Sequence, residues 1–70
     1  NPISKGPLTL TSFDKIIGVE LINSIGGIIA RFEDINQNFS QIDVSGLKSG
    51  QYFIRIYTEN GISSALLIKQ

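Results

Sequence analysis

Residues 42–61 read IDVSGLKSGQYFIRIYTENG, and this stretch decides the fold class. Within it, residues 51–58 alternate between two sets of apolar and aromatic side chains, as a half-buried β-strand does. The dipeptide Asn60-Gly61 predicts a type I′ hairpin turn, because both residue types tolerate the positive φ angles of that turn. An apolar run over residues 62–69 follows. The stretch therefore predicts two long antiparallel strands joined by a tight turn.

The rest of the chain repeats this pattern of short alternating runs separated by turn residues. Turn residues recur about every 8–12 positions, which is typical of an all-β sandwich. The predicted strands span residues 8–12, 17–23, 28–33, 39–44, 51–58 and 62–69. Two prolines make residues 1–7 an irregular lead-in, and Phe13, Asp14 and Lys15 are predicted to reverse the chain. The sequence predicts one domain over residues 1–70, an immunoglobulin-like antiparallel β-sandwich of about seven short strands.

Alternation also predicts which side chains share a face of each strand. The predicted sets are Leu8 with Leu10, Val19 with Leu21, Glu20 with Ile22, Tyr52 with Ile54 and Ile56, and Phe53 with Arg55 and Tyr57. Leu8 and Leu10 face inward, whereas Ile22 faces outward and would be exposed unless another element or a partner covers it. Leu47 is expected to tuck under its turn as a plug. Phe39 and Ile42 cannot share one face of a flat strand, a spacing compatible with a bulge.

Glycine and Asx residues mark the predicted turns. Gly26 supplies the positive φ that a tight turn requires. Asp43 is expected to accept hydrogen bonds from the amides of the turn that follows it. Gly46 and Gly50 do not form a phosphate-binding loop, because neither lies between a strand and a helix start. Their expected role is therefore to give the backbone conformational freedom.

Charge and composition argue against several classes of function. Six basic and six acidic residues are scattered singly, so the chain has no basic stripe for nucleic acid. The longest apolar runs are far shorter than the roughly 20 residues that span a bilayer. With no Cys the chain has no disulfide framework, which leaves its compartment open. Neither nucleic acid nor a membrane span is expected.

Chemical catalysis is also not expected. The chain contains no His and no Cys, so the commonest general base and the thiolate nucleophile are missing. Glu33, Asp34, Asn36 and Asn38 offer oxygen ligands for calcium, but they lack the glycine and the terminal Glu of an EF-hand loop. No catalytic residue, metal or cofactor is therefore predicted.

Several segments carry a resemblance to the type A C-terminal sorting domain of the type IX secretion system of Bacteroidota. Asn1-Pro2 resembles the remainder of an opening Pro-Asn-Pro motif, and residues 19–26 resemble a Val-Glu-Ile-Tyr-Asn-x-x-Gly segment, with Leu21 and Gly26 in place. Residues 42–47 and 50–56 match Ile-Asp-Leu-Ser-x-Leu and Gly-x-Tyr-x-x-x-Ile blocks, and residues 68–70 match a basic end. The chain departs from the pattern at Ile22, where Tyr is common, and over residues 63–66, which lack lysines.

The resemblance implies a C-terminal signal domain, cut here from a longer exported protein, that performs no reaction of its own. Such a domain directs an upstream cargo through the periplasm and across the outer membrane to the cell surface or the medium. The implied partners are the type IX translocon, an outer-membrane shuttle protein and a sortase-like surface protease that removes the domain.

Recognition is expected to involve the terminal strand. A receptor would pair with its edge and bury Leu66, Leu67 or Ile68, while Lys69 and the terminal carboxylate set the register. The predicted recognition residues are Gly50, Tyr52, Ile54, Leu66, Leu67, Ile68, Lys69 and Gln70. The predicted structural motif residues are Asn1, Pro2, Leu21, Gly26, Asp43, Gly46, Leu47, Asn60 and Gly61.

Two other functions fit the same sequence. One is an immunoglobulin-like or fibronectin-like module of a surface glycosidase or adhesin that binds carbohydrate. The other is a structural spacer, which could form a homodimer by exchanging its last strand. A sorting domain has to end its polypeptide, whereas a binding module can lie anywhere, so position distinguishes them.

Overall fold

Six β-strands make up the part of the chain that the computed structural model describes, residues 3–4, by their backbone alone, and residues 7–70. They are β1 (Ile3–Ser4), β2 (Leu8–Asn23), β3 (Ile28–Phe32), β4 (Gln37–Ile42), β5 (Gly50–Thr58) and β6 (Gly61–Lys69). Strands β2 to β6 pair antiparallel, and β1 pairs parallel with β6. The all-β prediction is confirmed, whereas the seventh strand and the immunoglobulin-like sandwich stay predictions.

The long strand β2 organises the sheet, because its two halves have different neighbours. Its first half pairs with β4, and its second half lies between β5 and β3 in the order β1-β6-β5-β2-β3. Ile16 pairs with Gln37 of β4 and with Thr58 of β5, so these two strands lie on opposite edges of β2. Consequently β3 and β4 follow one another along the same edge.

The predicted reversal at Phe13, Asp14 and Lys15 is wrong, because β2 continues through these residues. Its pairing with β4 is irregular between Thr11 and Ile16, which marks a bend rather than a turn. The Asn38 amide donates to the Phe13 carbonyl oxygen at 2.9 Å, and the Glu59 N–H donates to the Lys15 carbonyl oxygen at 3.4 Å. Distant residues thus satisfy backbone groups that a local turn would otherwise bond.

One hydrophobic core receives side chains from both halves of β2. The buried members are Leu8, Leu10, Ile16, Val19, Leu21, Ile42, Val44, Tyr52, Ile54 and Leu67. Because residues on either side of the bend contact the same core, the sheet folds over on itself there. The predicted inward positions of Leu8 and Leu10 are confirmed, and Leu47 packs against the core as the predicted plug.

The hairpin between β5 and β6 is confirmed, but its turn differs from the predicted type I′. Thr58 pairs with Gly61, so Glu59 and Asn60 are the turn residues, and neither has a positive φ. Gly61 instead has the positive φ, at 150°. The Asn60 amide donates to Asp14 Oδ1 at 2.8 Å, which ties the turn to the bend in β2.

The segment from β3 to the end of β4 differs from the prediction in two details. Asp34 and Asn36 have φ values of 57° and 51°, a left-handed conformation that Asp and Asn tolerate, and they separate the two strands. Pairing between β2 and β4 is regular from Leu8–Ile42 to Thr11–Phe39, so the prediction of a bulge between Phe39 and Ile42 is wrong. Those two side chains simply lie on opposite faces.

Candidate recognition surface

The β5–β6 hairpin has two faces with different surroundings. Tyr52 pairs with Leu67 on the face that lies on the core, and Leu67 is fully buried. Phe53 pairs with Leu66 on the opposite face, where Phe53 remains 44% exposed and Leu66 is half-buried. Neighbouring residues of one strand therefore have different environments, as the predicted alternation of Tyr52 and Phe53 requires.

The predicted recognition residues are divided between these two faces. Tyr52, Ile54 and Leu67 are buried in the core, and the Tyr52 hydroxyl donates to the Lys48 carbonyl oxygen at 2.7 Å. Leu66 and Ile68 lie half-buried on the outer face. The structure thus does not place Leu66, Leu67 and Ile68 in one stripe, since Leu67 faces the interior.

The end of the terminal strand is paired along both of its edges. Gly50 of β5 pairs with Lys69, and Gln51 pairs with Ile68. On the other side, the backbone of β1 pairs Ile3 with Ile68 and Ser4 with Lys69. A receptor strand that pairs with β6 at these two residues would therefore have to displace β1, whereas β1 does not cover residues 61–67.

A charged cluster, formed by Glu20, Arg31, Arg55 and Tyr57, lies on the outer face of the sheet. Glu20 on β2 is only 6% exposed. Its Oε2 accepts from Arg31 Nε at 3.0 Å and lies 3.0 Å from Arg31 Nη2. Its Oε1 accepts from the Tyr57 hydroxyl at 2.6 Å and from Arg55 Nη1 at 3.3 Å. The cluster therefore connects β3, β2 and β5 through one carboxylate.

These contacts keep Glu20 ionised. The hydrogen bond from the Tyr57 hydroxyl is the largest cause that lowers the pKa of Glu20, burial acts in the opposite direction, and Arg31 and Arg55 lower it further. The same hydroxyl raises the pKa of Arg55, with a smaller part from Glu20. Because both carboxylate oxygens already accept from donors, Glu20 is held as a structural anion.

An apolar row runs beside the charged cluster on the same face. Ile22 of β2 pairs with Ile28 of β3 after a one-residue shift in the β2–β3 pairing. On its other side Ile22 pairs with Phe53 of β5, which pairs with Leu66 of β6. The row is half exposed at Ile28 (50%) but buried at Ile22 (7%). The sequence predicts that Ile22 is exposed unless another element or a partner covers it. Neighbouring strands of the same sheet cover it.

A cavity of about 520 Å³ lies next to the charged cluster, lined in part by Gly18, Glu20, Arg31 and Tyr57. Among the described residues there is no group of three His, Cys, Asp or Glu side chains that could hold a metal ion. The candidate calcium ligands Asp34 and Asn36 instead form the left-handed break between β3 and β4. The cavity is therefore bordered by the charged side chains of this cluster.

The predicted structural motif residues lie mostly where turns or the core need them. Leu21 is buried, and Gly26 has a φ of 93° in a turn where Asn23 Oδ1 accepts from the Gly27 N–H at 2.7 Å. Asp43 Oδ1 accepts from the Ser45 N–H at 2.9 Å, as predicted, and hydrogen bonds from Ser45 lower the pKa of Asp43.

The remaining motif residues are less distinctive. Gly46 is exposed and has open space around it, so nothing in the structure requires glycine there. Asn1 and Pro2 lie outside the described residues.

Sequence reasoning missed the charged cluster. Alternation correctly placed Glu20 on one face of β2 and Arg55 with Tyr57 on one face of β5, but the pairing of these strands could not be read from spacing alone. Arg31 was not singled out. An acidic residue at an otherwise apolar strand position was the available indication, since a buried carboxylate requires partners.

Within residues 3–4 and 7–70 there is no helix long and apolar enough to cross a membrane.

Comparison with known proteins gives one match. The family model for the secretion system C-terminal sorting domain matches residues 1–70, the whole of the chain. No curated protein and no solved structure matches. This family comprises sorting signals of type IX secretion, which imply interaction with that secretion system and export across the outer membrane to the cell surface. The chain therefore belongs to the family of type IX secretion C-terminal sorting domains.

Proposed function

We propose that this chain is a non-catalytic sorting signal that directs an upstream cargo through the type IX translocon. The observation that carries the proposal is the family match over residues 1–70. On this proposal an outer-membrane shuttle protein binds the domain after periplasmic transit, and a sortase-like surface protease then removes it. The cargo reaches the cell surface or the medium.

The outer face of the β5–β6 hairpin is the proposed contact for the secretion machinery. Leu66 and Ile68 are half-buried there and lie beside one another along β6, close to Lys69 and Gln70. A partner could bury their remaining apolar area while the charge of Lys69 fixes orientation. Tyr52, Ile54 and Leu67 support recognition only indirectly, since their burial in the core holds the hairpin in place.

We also propose that residues 1–70 form an immunoglobulin-like β-sandwich of about seven strands. The support is the bend in β2, which lets both of its halves contribute to one core. The proposal includes one strand more than the six that the structure describes in residues 3–4 and 7–70.

A secretion assay tests the function. Residues 1–70 are fused behind a fluorescent protein carrying an N-terminal export signal, in a type IX-competent strain and in a translocon-deficient strain. We expect fluorescence at the surface and in the medium of the competent strain alone. Equal release from both strains would contradict the proposal and would favour a binding or spacer module.

Point variants locate the contact. Leu66→Ser and Ile68→Ser are expected to retain the cargo in the periplasm, and so is deletion of residues 68–70. Ile62→Ser is the matched control, because it changes the same residue type on the same strand and face at the far end of the hairpin, where Ile62 is 66% exposed. Normal export of Leu66→Ser, with circular dichroism showing a folded domain, would remove this face from the proposal.

A further inference from the structure

We propose that the outer edge of β3 accepts an added β-strand from an extended peptide segment that carries an acidic residue two positions from an apolar one. This edge lies at the opposite end of the sheet from β1 and its neighbour β6. The inference goes beyond export and holds whether or not the hairpin is the contact for the secretion machinery.

The backbone of β3 is available for pairing. Among residues 3–4 and 7–70, β3 pairs with β2 alone, so one edge of the strand faces away from the sheet. Edge strands are commonly protected by Pro, by Lys or by a covering loop. The sequence of β3, Ile-Ile-Ala-Arg-Phe, contains neither Pro nor Lys, and Ile28 and Ile29 are 50% and 44% exposed.

Charge complementarity defines the partner. Arg31, Glu20 and Arg55 are direct cross-strand neighbours, so charge alternates plus, minus, plus across β3, β2 and β5. Arg31 contacts Glu20 through Nε and Nη2 and keeps a side-chain exposure of 54%. A strand added beyond β3 would place a residue directly opposite Arg31, where a carboxylate continues the alternation and a cation opposes it.

The end of the apolar row at β3 defines the second position. The β2–β3 pairing shifts by one residue where Ile22 of this row meets Ile28, so Ile29 has no β2 partner of its own. Ile29 lies two residues before Arg31, on the face of β3 opposite to the core-packed Ala30 and Phe32, and it is 44% exposed. Side chains on one face of a strand are two residues apart. An added strand with an apolar residue two positions from its acidic residue would therefore place its carboxylate beside Arg31 and its apolar side chain beside Ile29.

A second copy of this chain fits less well than such a partner. Strand β3 has no acidic residue, so pairing β3 with itself cannot place a carboxylate from within the strand opposite Arg31. The acidic residues follow the strand, where the left-handed φ of Asp34 interrupts extended pairing. The partner is therefore a different extended segment.

The test uses the ¹⁵N-labelled 70-residue chain and two capped hexapeptides, Thr-Val-Thr-Glu-Thr-Thr and the same peptide with Lys in place of Glu. We expect the amide resonances of residues 28–32 to shift, and the glutamate peptide to bind about fivefold more tightly than the lysine peptide. In Arg31→Gln the preference should fall to less than about twofold. Arg55→Gln is the matched control: it also removes one Arg–Glu20 contact, lies away from the edge and should keep the preference.

Several outcomes would overturn the proposal. They are shifts confined to β6, no shifts at millimolar peptide, an unchanged preference in Arg31→Gln, and self-association through β3 in sedimentation. If Arg31→Gln does not fold, the location of the shifts and the peptide preference in the wild-type chain still decide the question. If the wild-type domain fails to direct export in the secretion assay but keeps its preference for the glutamate peptide, the sorting function is contradicted and the proposed β3 edge site is supported.

Discussion

The two faces of the β5–β6 hairpin differ in what they contribute, although their residues alternate along the same strands. On the core face Ile54 and Leu67 are fully buried. On the outer face Phe53 and Ile62 are 44% and 66% exposed. Among the described residues, Glu20 has the only buried charged side chain, and it lies on this same face of the sheet. In a domain this small, one position can therefore affect folding while its neighbour affects mainly what a partner contacts.

Adjacent leucines give the largest expected difference. Leu67→Ala removes a fully buried side chain and should lower the free energy of unfolding by about 3–4 kcal/mol. Leu66→Ala, on the half-buried outer face, should cost about 1 kcal/mol. Urea unfolding followed by circular dichroism measures both. Equal losses would contradict the division of the hairpin into two faces.

The second effect is that of Glu20→Gln, which tests whether the outer face also contributes to folding. Because the folded-state pKa of Glu20 lies below its ordinary value of 4.5, the stability that Glu20 contributes is present above that pH and is lost as pH falls through the folded-state pKa. We expect Glu20→Gln to be less stable at pH 7 and to show a shallower loss of stability below about pH 5.

Two features calibrate this pH experiment. Asp43 also has a lowered pKa, so part of the acid-dependent loss should persist in Glu20→Gln. Glu59→Gln, in the exposed β5–β6 turn, serves as the control for removing one carboxylate. If the free energy of unfolding falls as steeply with decreasing pH in Glu20→Gln as in the wild-type chain, the charged cluster does not stabilise the fold.

The two tyrosines compare single hydrogen bonds on opposite faces. Tyr57→Phe removes a donor to an ionised carboxylate and should cost about 2 kcal/mol, whereas Tyr52→Phe removes a donor to a carbonyl and should cost about 1 kcal/mol. Tyr57→Phe should also shift the acid-dependent loss of stability to higher pH, because the Tyr57 hydroxyl is the main cause of the lowered pKa of Glu20. Denaturant midpoints at pH 4 and pH 7 would measure both effects; a larger loss from Tyr52→Phe would reverse the expected ranking.

The smallest effect is expected at Ile62. This side chain is 66% exposed, so Ile62→Thr should change the free energy of unfolding by less than about 0.5 kcal/mol. The same urea titration provides the measurement. A loss comparable with that of Leu66→Ala would mean that the apolar outer face packs as one unit up to the hairpin turn.

Local patterns predicted the strands whose signals lie within one short stretch of chain. Alternation over β5 correctly separated Tyr52 and Ile54 from Phe53 and Tyr57, and Asp43 was correctly assigned to its turn. The bend in β2 escaped prediction, because Asn38 and Glu59 complete its hydrogen bonds from far along the chain.

The candidate site was less predictable than the fold for the same reason. The contacts among Arg31, Glu20 and Arg55 depend on strand order and register, which a single sequence does not encode locally. Spacing also could not reveal that β1 pairs with Ile68 and Lys69, since those segments lie at opposite ends of the sequence.

The pairing of β2 with strands far downstream has a consequence for kinetics. Val19 and Leu21 cannot acquire their β5 neighbours until residues 54 and 56 are available, and Leu67 reaches the core only with the last strand. Proteins dominated by such sequence-distant contacts fold on the millisecond-to-second scale. The hairpin of β5 and β6 can form early, but the domain reaches its native state only when almost the entire 70-residue stretch is free to collapse around it.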